Sequence, residues 1–155
     1  MATESLVQIT DIPQFDAGAP EPVLHAKEGQ VFLAYHLADH LANPAEDFTT
    51  VIVAFEGVYS HLFGSPNDEA LAGHRLAKSG LQPYSICEVK HSTWIADLCA
   101  RNRVHPRHNE ARYSDLRHFI FTFHDSTFEI VAKTYKASVE FAAPTDCINR
   151  RLSDR

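Results

Sequence analysis

Histidine and carboxylate side chains recur between Arg117 and Val131, where His118, Thr122, His124 and Glu129 are interleaved with Phe119, Phe121, Phe123 and Phe128. Side chains alternate between the two faces of a strand. Read as two strands joined by a tight turn, the segment carries phenylalanine on one face and titratable groups on the other. Joining its two apolar sets, Phe119/Phe121/Phe123 and Phe128/Ile130/Ala132, requires an even loop, because an odd one sets Phe123 against Glu129. A two-residue loop at Asp125-Ser126 pairs Phe123 with Phe128, and a four-residue loop pairs Phe123 with Ile130. Both place His124 and Glu129 on one face, with Cα atoms roughly 4.5–8 Å apart. Such a pair can do acid–base chemistry, Glu129 orienting and charging His124 while His124 moves the proton. As an ordinary polar patch on a half-wet sheet, it would contribute only a few tenths to about 1 kcal/mol per cross-strand pair.

Three other groups of residues carry chemistry. Asn67, Asp68 and His74 cluster in a loop bounded by Gly64 and Gly73. His74 and Asp68 would form a second titratable group on a lid and Asn67 a ligand contact, or Asn67 and Asp68 would simply cap a helical turn. Residues 101–118 hold Arg101, Arg103, Arg107, Arg112 and Arg117 without a lysine. Guanidinium groups favour planar, bidentate recognition of carboxylate or phosphate, so Arg107, Arg112 and Arg117 are expected to clamp an anion beside His118. His105 and His108 stand three apart, but a transition metal needs at least a third ligand. No spacing supplies one, and neither a metal nor a cofactor is expected. H-E-x-x-H, G-x-S-x-G, the P-loop and G-x-G-x-x-G are all absent, which disfavours the chemistries those motifs carry.

The elements that must position these groups follow from periodicity. Strands are predicted at Pro22 to Ala26, Val31 to Ala38, Thr49 to Phe55 (resuming past a bulge at Gly57), Tyr84 to Lys90, and in the two arms of the phenylalanine hairpin. Ser92 reads as the N-cap of a helix from Thr93 to Asn102, with Trp94, Ile95, Leu98 and Cys99 as its apolar stripe. The long segment from Pro66 to Pro83 reads as a functional loop with one short helical turn. The expected fold is α+β: a mainly antiparallel sheet of five to six strands with one principal helix packed on one face. Residues 1–21 read as a flexible or strapped lead-in, 22–143 as the single domain, and 144–155 as a polar tail.

Composition narrows the function classes. The 155 residues are 45% hydrophobic and 22% charged, the balance of an ordinary globular protein. No apolar run is long enough to span a membrane, and the N-terminus lacks the basic and apolar regions of a signal peptide. Three cysteines without C-x-x-C spacing read as reduced thiols, hence a cytoplasmic protein. Residues 1–70 carry a net charge of −10 and residues 71–155 a net +4. An overall charge of −6, with no aromatic RNA-binding motif, argues against nucleic acid. Ten histidines could invert the charge to +4 on acidification, which suggests a homo-oligomer that responds to pH. The expected role is a binding module for a small anionic ligand or a protein, using an Arg/His face. The alternative is an enzyme acting on a small anionic substrate by His/Glu acid–base chemistry.

Overall fold

The computed structural model describes residues 2–154. Nine strands form two antiparallel sheets: β1 (Ser5–Gln8), β2 (Val23–Lys27), β3 (Gly29–His36), β4 (Thr50–Val58), β5 (Ser60–Gly64), β6 (Ile86–Lys90), β7 (Arg117–Thr122), β8 (Thr127–Ala132) and β9 (Thr134–Glu140). The first sheet has the order β1-β6-β7-β8-β5 and the second β2-β3-β4-β9. Two helices, α1 (Thr93–Arg101) and α2 (Pro144–Ser153), complete the α+β fold.

The sheets pack face to face through the phenylalanine side of the hairpin. Phe119, Phe121, Phe128 and Ile130 meet Val31, Leu33, Tyr35, Val51, Val53 and Phe55 in one buried cluster. Two long strands run from one sheet into the other: β4 bends at Gly57 and passes into β5 at Tyr59, and β8 passes into β9 at Lys133. The Lys133 N–H donates to the carbonyls of both Glu56 and Gly57. Gly57 has φ +64°, and a Cβ there would lie 2.6 Å from Lys133 Cγ, so this corner requires glycine.

The expected single sheet is therefore two, and the one principal helix is joined by a second. The reason is visible in the near-continuous apolar runs of β4 and β8: strands buried on both faces need a cover on each side. The outer face of the second sheet, Phe32, Ala34 and Ile52, is covered by Cys147 and Ile148 of α2. Pro144–Ser153 thus form a packed helix where a polar tail is expected, with Pro144 opening its first turn. Its few apolar residues left little periodic signal. The lead-in is ordered too: β1 pairs with β6, and Ile12 and Phe15 are core residues.

The outer face of the first sheet carries the titratable residues and is also covered. The segment from Pro66 to Pro83 folds as two 3-10 turns, Asp68–Gly73 and Ala77–Ser79. Its Leu71, Leu76 and Leu81 bury Cys87, Val89 and Ile120. Beside it, Trp94, Ile95, Leu98 and Cys99 of α1 pack against Tyr113, Leu116 and Val131. No helix among the described residues is long and apolar enough to cross a membrane.

Burial of α2 makes a direct prediction. Ile148→Ala should destabilise the chain by about 2–5 kcal/mol in urea unfolding, the cost of truncating a core aliphatic residue. A residue in a solvated tail would stay within about 0.5 kcal/mol.

Candidate functional site

The hairpin loop is even, as apolar matching demands, but its four residues are Phe123 to Ser126. Phe121 faces Phe128 and Ile120 faces Glu129, so neither anticipated pairing forms. Phe123 leaves the ladder yet stays buried by packing its ring 4.6 Å from Phe15 and 5.7 Å from Tyr35. This register moves Glu129 toward the strand start. Its diagonal neighbour is now His118, and His124 lies beyond the strand end.

Glu129 is the hub of a buried network. Its Oε1 lies 2.8 Å from His118 Nε2, its Oε2 lies 3.0 Å from His74 Nε2, and Arg75 donates to Oε1 at 2.8 Å. The side chains of His118 and Glu129 are 0% and 6% exposed. Burial alone would raise the Glu129 carboxyl. Hydrogen bonds from His118 and His74, with the charge of Arg75, outweigh it and hold the group at about 2. The carboxylate is therefore ionised at neutral pH and can only accept.

That fixes both histidine tautomers. His74 Nδ1 accepts from the Leu76 N–H at 3.0 Å, so its Nε2–H donates to Glu129. In its neutral form His118 likewise turns Nε2–H to Glu129, which leaves Nδ1 as an acceptor 2.8 Å from Ser92 Oγ. The Ser92 hydroxyl donates there. Trp94 seals the imidazole, its ring edge-on at 5.1 Å.

Ser92 is positioned by a strand–turn–helix passage. His91 follows β6 in the left-handed region with φ +57°, a conformation uncommon outside glycine but one that histidine, like asparagine and aspartate, adopts more readily than most. The chain then turns at once into α1, whose Ile95 N–H donates to Ser92 Oγ at 3.2 Å. Ser92 also lines an open cleft of about 810 Å³ between α1, the 3-10 turn Glu110–Tyr113 and the ends of β6 and β7. Ile95, Cys99, Glu110, Tyr113 and Arg117 share its wall.

The other anticipated site residues are distributed differently. His124 Nδ1 pairs with Asp68 Oδ2 at 2.8 Å, and Tyr84 donates its hydroxyl to the same carboxylate. Hydrogen bonding to Asp68 raises the His124 value; the Tyr84 hydrogen bond, opposed by desolvation, lowers that of Asp68. Asn67 caps the following 3-10 turn by accepting from the Ala70 N–H. Arg117 is not grouped with Arg107 and Arg112. It pairs with Glu88 at 2.6 Å and lies over Phe119 at 4.9 Å. Arg107 and Arg112 line a separate cavity of about 140 Å³ with Tyr59, Asn102, His105 and Tyr113. His105 and His108 diverge: His105 Nδ1 accepts from the Arg107 N–H, whereas His108 turns toward Cys99.

Sequence reasoning missed Ser92 and Arg75 as site members. Ser92 carried only its N-cap signal, and nothing local says that a cap hydroxyl will also meet an imidazole. Arg75 follows His74 directly, and that adjacency was the one available hint. The chain matches none of the protein-family models, curated proteins or solved structures with which it was compared. A functional reading must come from the geometry.

Two titrations check the site. Glu129 lies below its ordinary 4.5, so its stabilisation is present above that value and is lost as pH falls toward about 2. Glu129→Gln should be about 1–3 kcal/mol less stable at neutral pH, and the gap to the native chain should shrink across that acid window. For His124, an NMR titration should show a midpoint above the usual histidine value of about 6.5. In Asp68→Asn the midpoint should fall back toward it.

Proposed function

We propose that this chain is a hydrolase for small acyl substrates, with Ser92 as nucleophile, His118 as general base and Glu129 as its positioning carboxylate. One observation carries the reading: an unbroken line of hydrogen bonds runs from Ser92 Oγ through His118 to Glu129, 2.8 Å at each step, and its serine end lies on the wall of the cleft. A serine hydroxyl is a weak nucleophile unless an adjacent base removes its proton. Such constellations are recognised by geometry and roles rather than by sequence position.

The step follows from the tautomers. As Ser92 Oγ bonds to the substrate's carbonyl carbon, its proton passes to His118 Nδ1. The imidazolium so formed faces an ionised Glu129 that His74 and Arg75 hold from the other side. His118 then gives the proton to the leaving group as the bond to the acyl carbon breaks. Water, deprotonated by His118, cleaves the acyl-serine and restores the hydroxyl. The N-terminus of α1 supplies a favourable dipole for charge growing at Ser92 Oγ, and the Ile95 N–H already points at that oxygen.

A second reading, a small-anion-binding module without catalysis, rests on the cavity at Arg107 and Arg112. Neither guanidinium takes part in an ion pair among the described residues. The cavity volume of about 140 Å³ suits a single small anion such as phosphate.

A fluorophosphonate probe separates the two. The hydrolase reading expects one label per chain, mapped to Ser92 by peptide mass spectrometry, and turnover of p-nitrophenyl acetate above the buffer rate. Ser92→Ala should lose both while staying folded, at a cost of about 1 kcal/mol for the lost cap and about 1–3 kcal/mol more for the buried His118 Nδ1 left without a donor. Labelling that persists in Ser92→Ala, or no labelling of the native chain, would sink the hydrolase reading and leave the anion-binding one.

A further inference from the structure

We propose that Cys99, His108 and Glu110 bind one divalent transition-metal ion of the zinc class, with its remaining coordination position open to the cleft. The three residues come from separate elements: α1, the loop after it, and the 3-10 turn Glu110–Tyr113. Their candidate ligand atoms all lie within 4.8 Å of one another. Cys99 Sγ is 3.9 Å from His108 Nε2. Tetrahedral coordination with ordinary zinc–sulfur and zinc–nitrogen bonds puts those two atoms about 3.6 Å apart, so a few tenths of an ångström of side-chain movement brings that pair to ligating distance, and the exposed Glu110 side chain swings in as the third ligand.

The surroundings fit ligation. His108 Nδ1 is held by the Asn102 side-chain amide at 2.9 Å. With the amide turned to present its oxygen, Asn102 accepts from Nδ1–H and leaves the Nε2 lone pair aimed at Cys99, the usual support for a metal-bound imidazole. Arg103 holds Oε1 of Glu110 at 3.0 Å, which orients the carboxylate and leaves its second oxygen to bind. One thiolate and one carboxylate neutralise a divalent ion. A sulfur–nitrogen–oxygen set disfavours magnesium and calcium, which prefer oxygen alone, and suits zinc or cobalt. Three protein ligands with a position left over are the arrangement of exchangeable sites, not closed structural ones. Cys99 and Glu110 both line the cleft, so the open position faces it.

The ion would stand apart from the Ser92 relay. Cys99 lies seven residues beyond Ser92, the N-cap of α1, roughly 10 Å of helix rise. That is too far for a metal-bound oxygen to share the serine's reaction centre, and the metal site holds or fails independently of the hydrolase reading. The sequence alone leads to no metal, because His105 and His108 lack a third ligand; in the fold Cys99 and Glu110 stand beside His108, while His105 turns away. The structure supplies the missing ligands to His108 alone, from Cys99 and Glu110.

Cobalt titration of the tag-free full chain tests this with a readout other than activity. The expected result is one ion per chain, visible d–d bands of tetrahedral strength, and a near-ultraviolet thiolate-to-cobalt band. Zinc should displace the cobalt. Cys99→Ser should abolish the near-ultraviolet band, whereas Cys87→Ser and Cys147→Ser should keep it. His108→Ala should weaken binding at least about tenfold, and Asn102→Ala by about 10–100-fold. No thiolate band, a band that survives Cys99→Ser, or unchanged affinity in His108→Ala would each overturn the proposal.

Discussion

Glu129 sits in the middle of a sheet with 6% of its side chain exposed, and it is ionised. A buried carboxylate without partners would cost several kcal/mol even after relaxation. Each feature around it answers that demand. His118 reaches it from the neighbouring strand. His74 and Arg75 reach it from the segment between β5 and β6, which brings that segment down onto the sheet. Leu71, Leu76 and Leu81 then bury the apolar surface beside it. What reads in sequence as a long surface loop is a lid pinned by one charge and three leucines.

The same demand extends to α1. His118 has two ring nitrogens, and satisfying Glu129 with one leaves the other an acceptor in a dry interior, where an unmet acceptor is costly. Ser92 meets it. A hydroxyl whose first duty is to cap a helix is thereby joined to an imidazole and a carboxylate. Because α1 also walls the cleft, the end of the network reaches a concavity of about 810 Å³. Stability and candidate chemistry share the same atoms, so the relay is both held rigid and made accessible.

The charge split along the chain is settled partly by pairs that cross its two halves. Glu4 meets Arg75 and the first turn of α1, and Asp68 meets His124. Other bases of the second half find partners nearby, as Arg117 does with Glu88 and Arg103 with Glu110. Arg107 and Arg112 stay outside this balance and keep a basic cavity at the surface.

Local rules alone determined a good deal. Alternation along β7 and β8 put His118, Thr122 and Glu129 on one face and phenylalanine on the other, because strand geometry has a period of two whatever the fold. The even hairpin loop and the Ser92 cap followed from equally local constraints. Which histidine meets Glu129 did not. That depends on a ladder register set by packing Phe123 against Phe15 and Tyr35, residues distant in the chain. Nor could sequence show that both faces of each sheet are covered, that α2 is a core helix, or that Cys99, His108 and Glu110 converge. Spacing encodes neighbours along an element. Only the docking of one element on another chooses neighbours across them, and every group proposed here to do chemistry meets its partner across such a boundary.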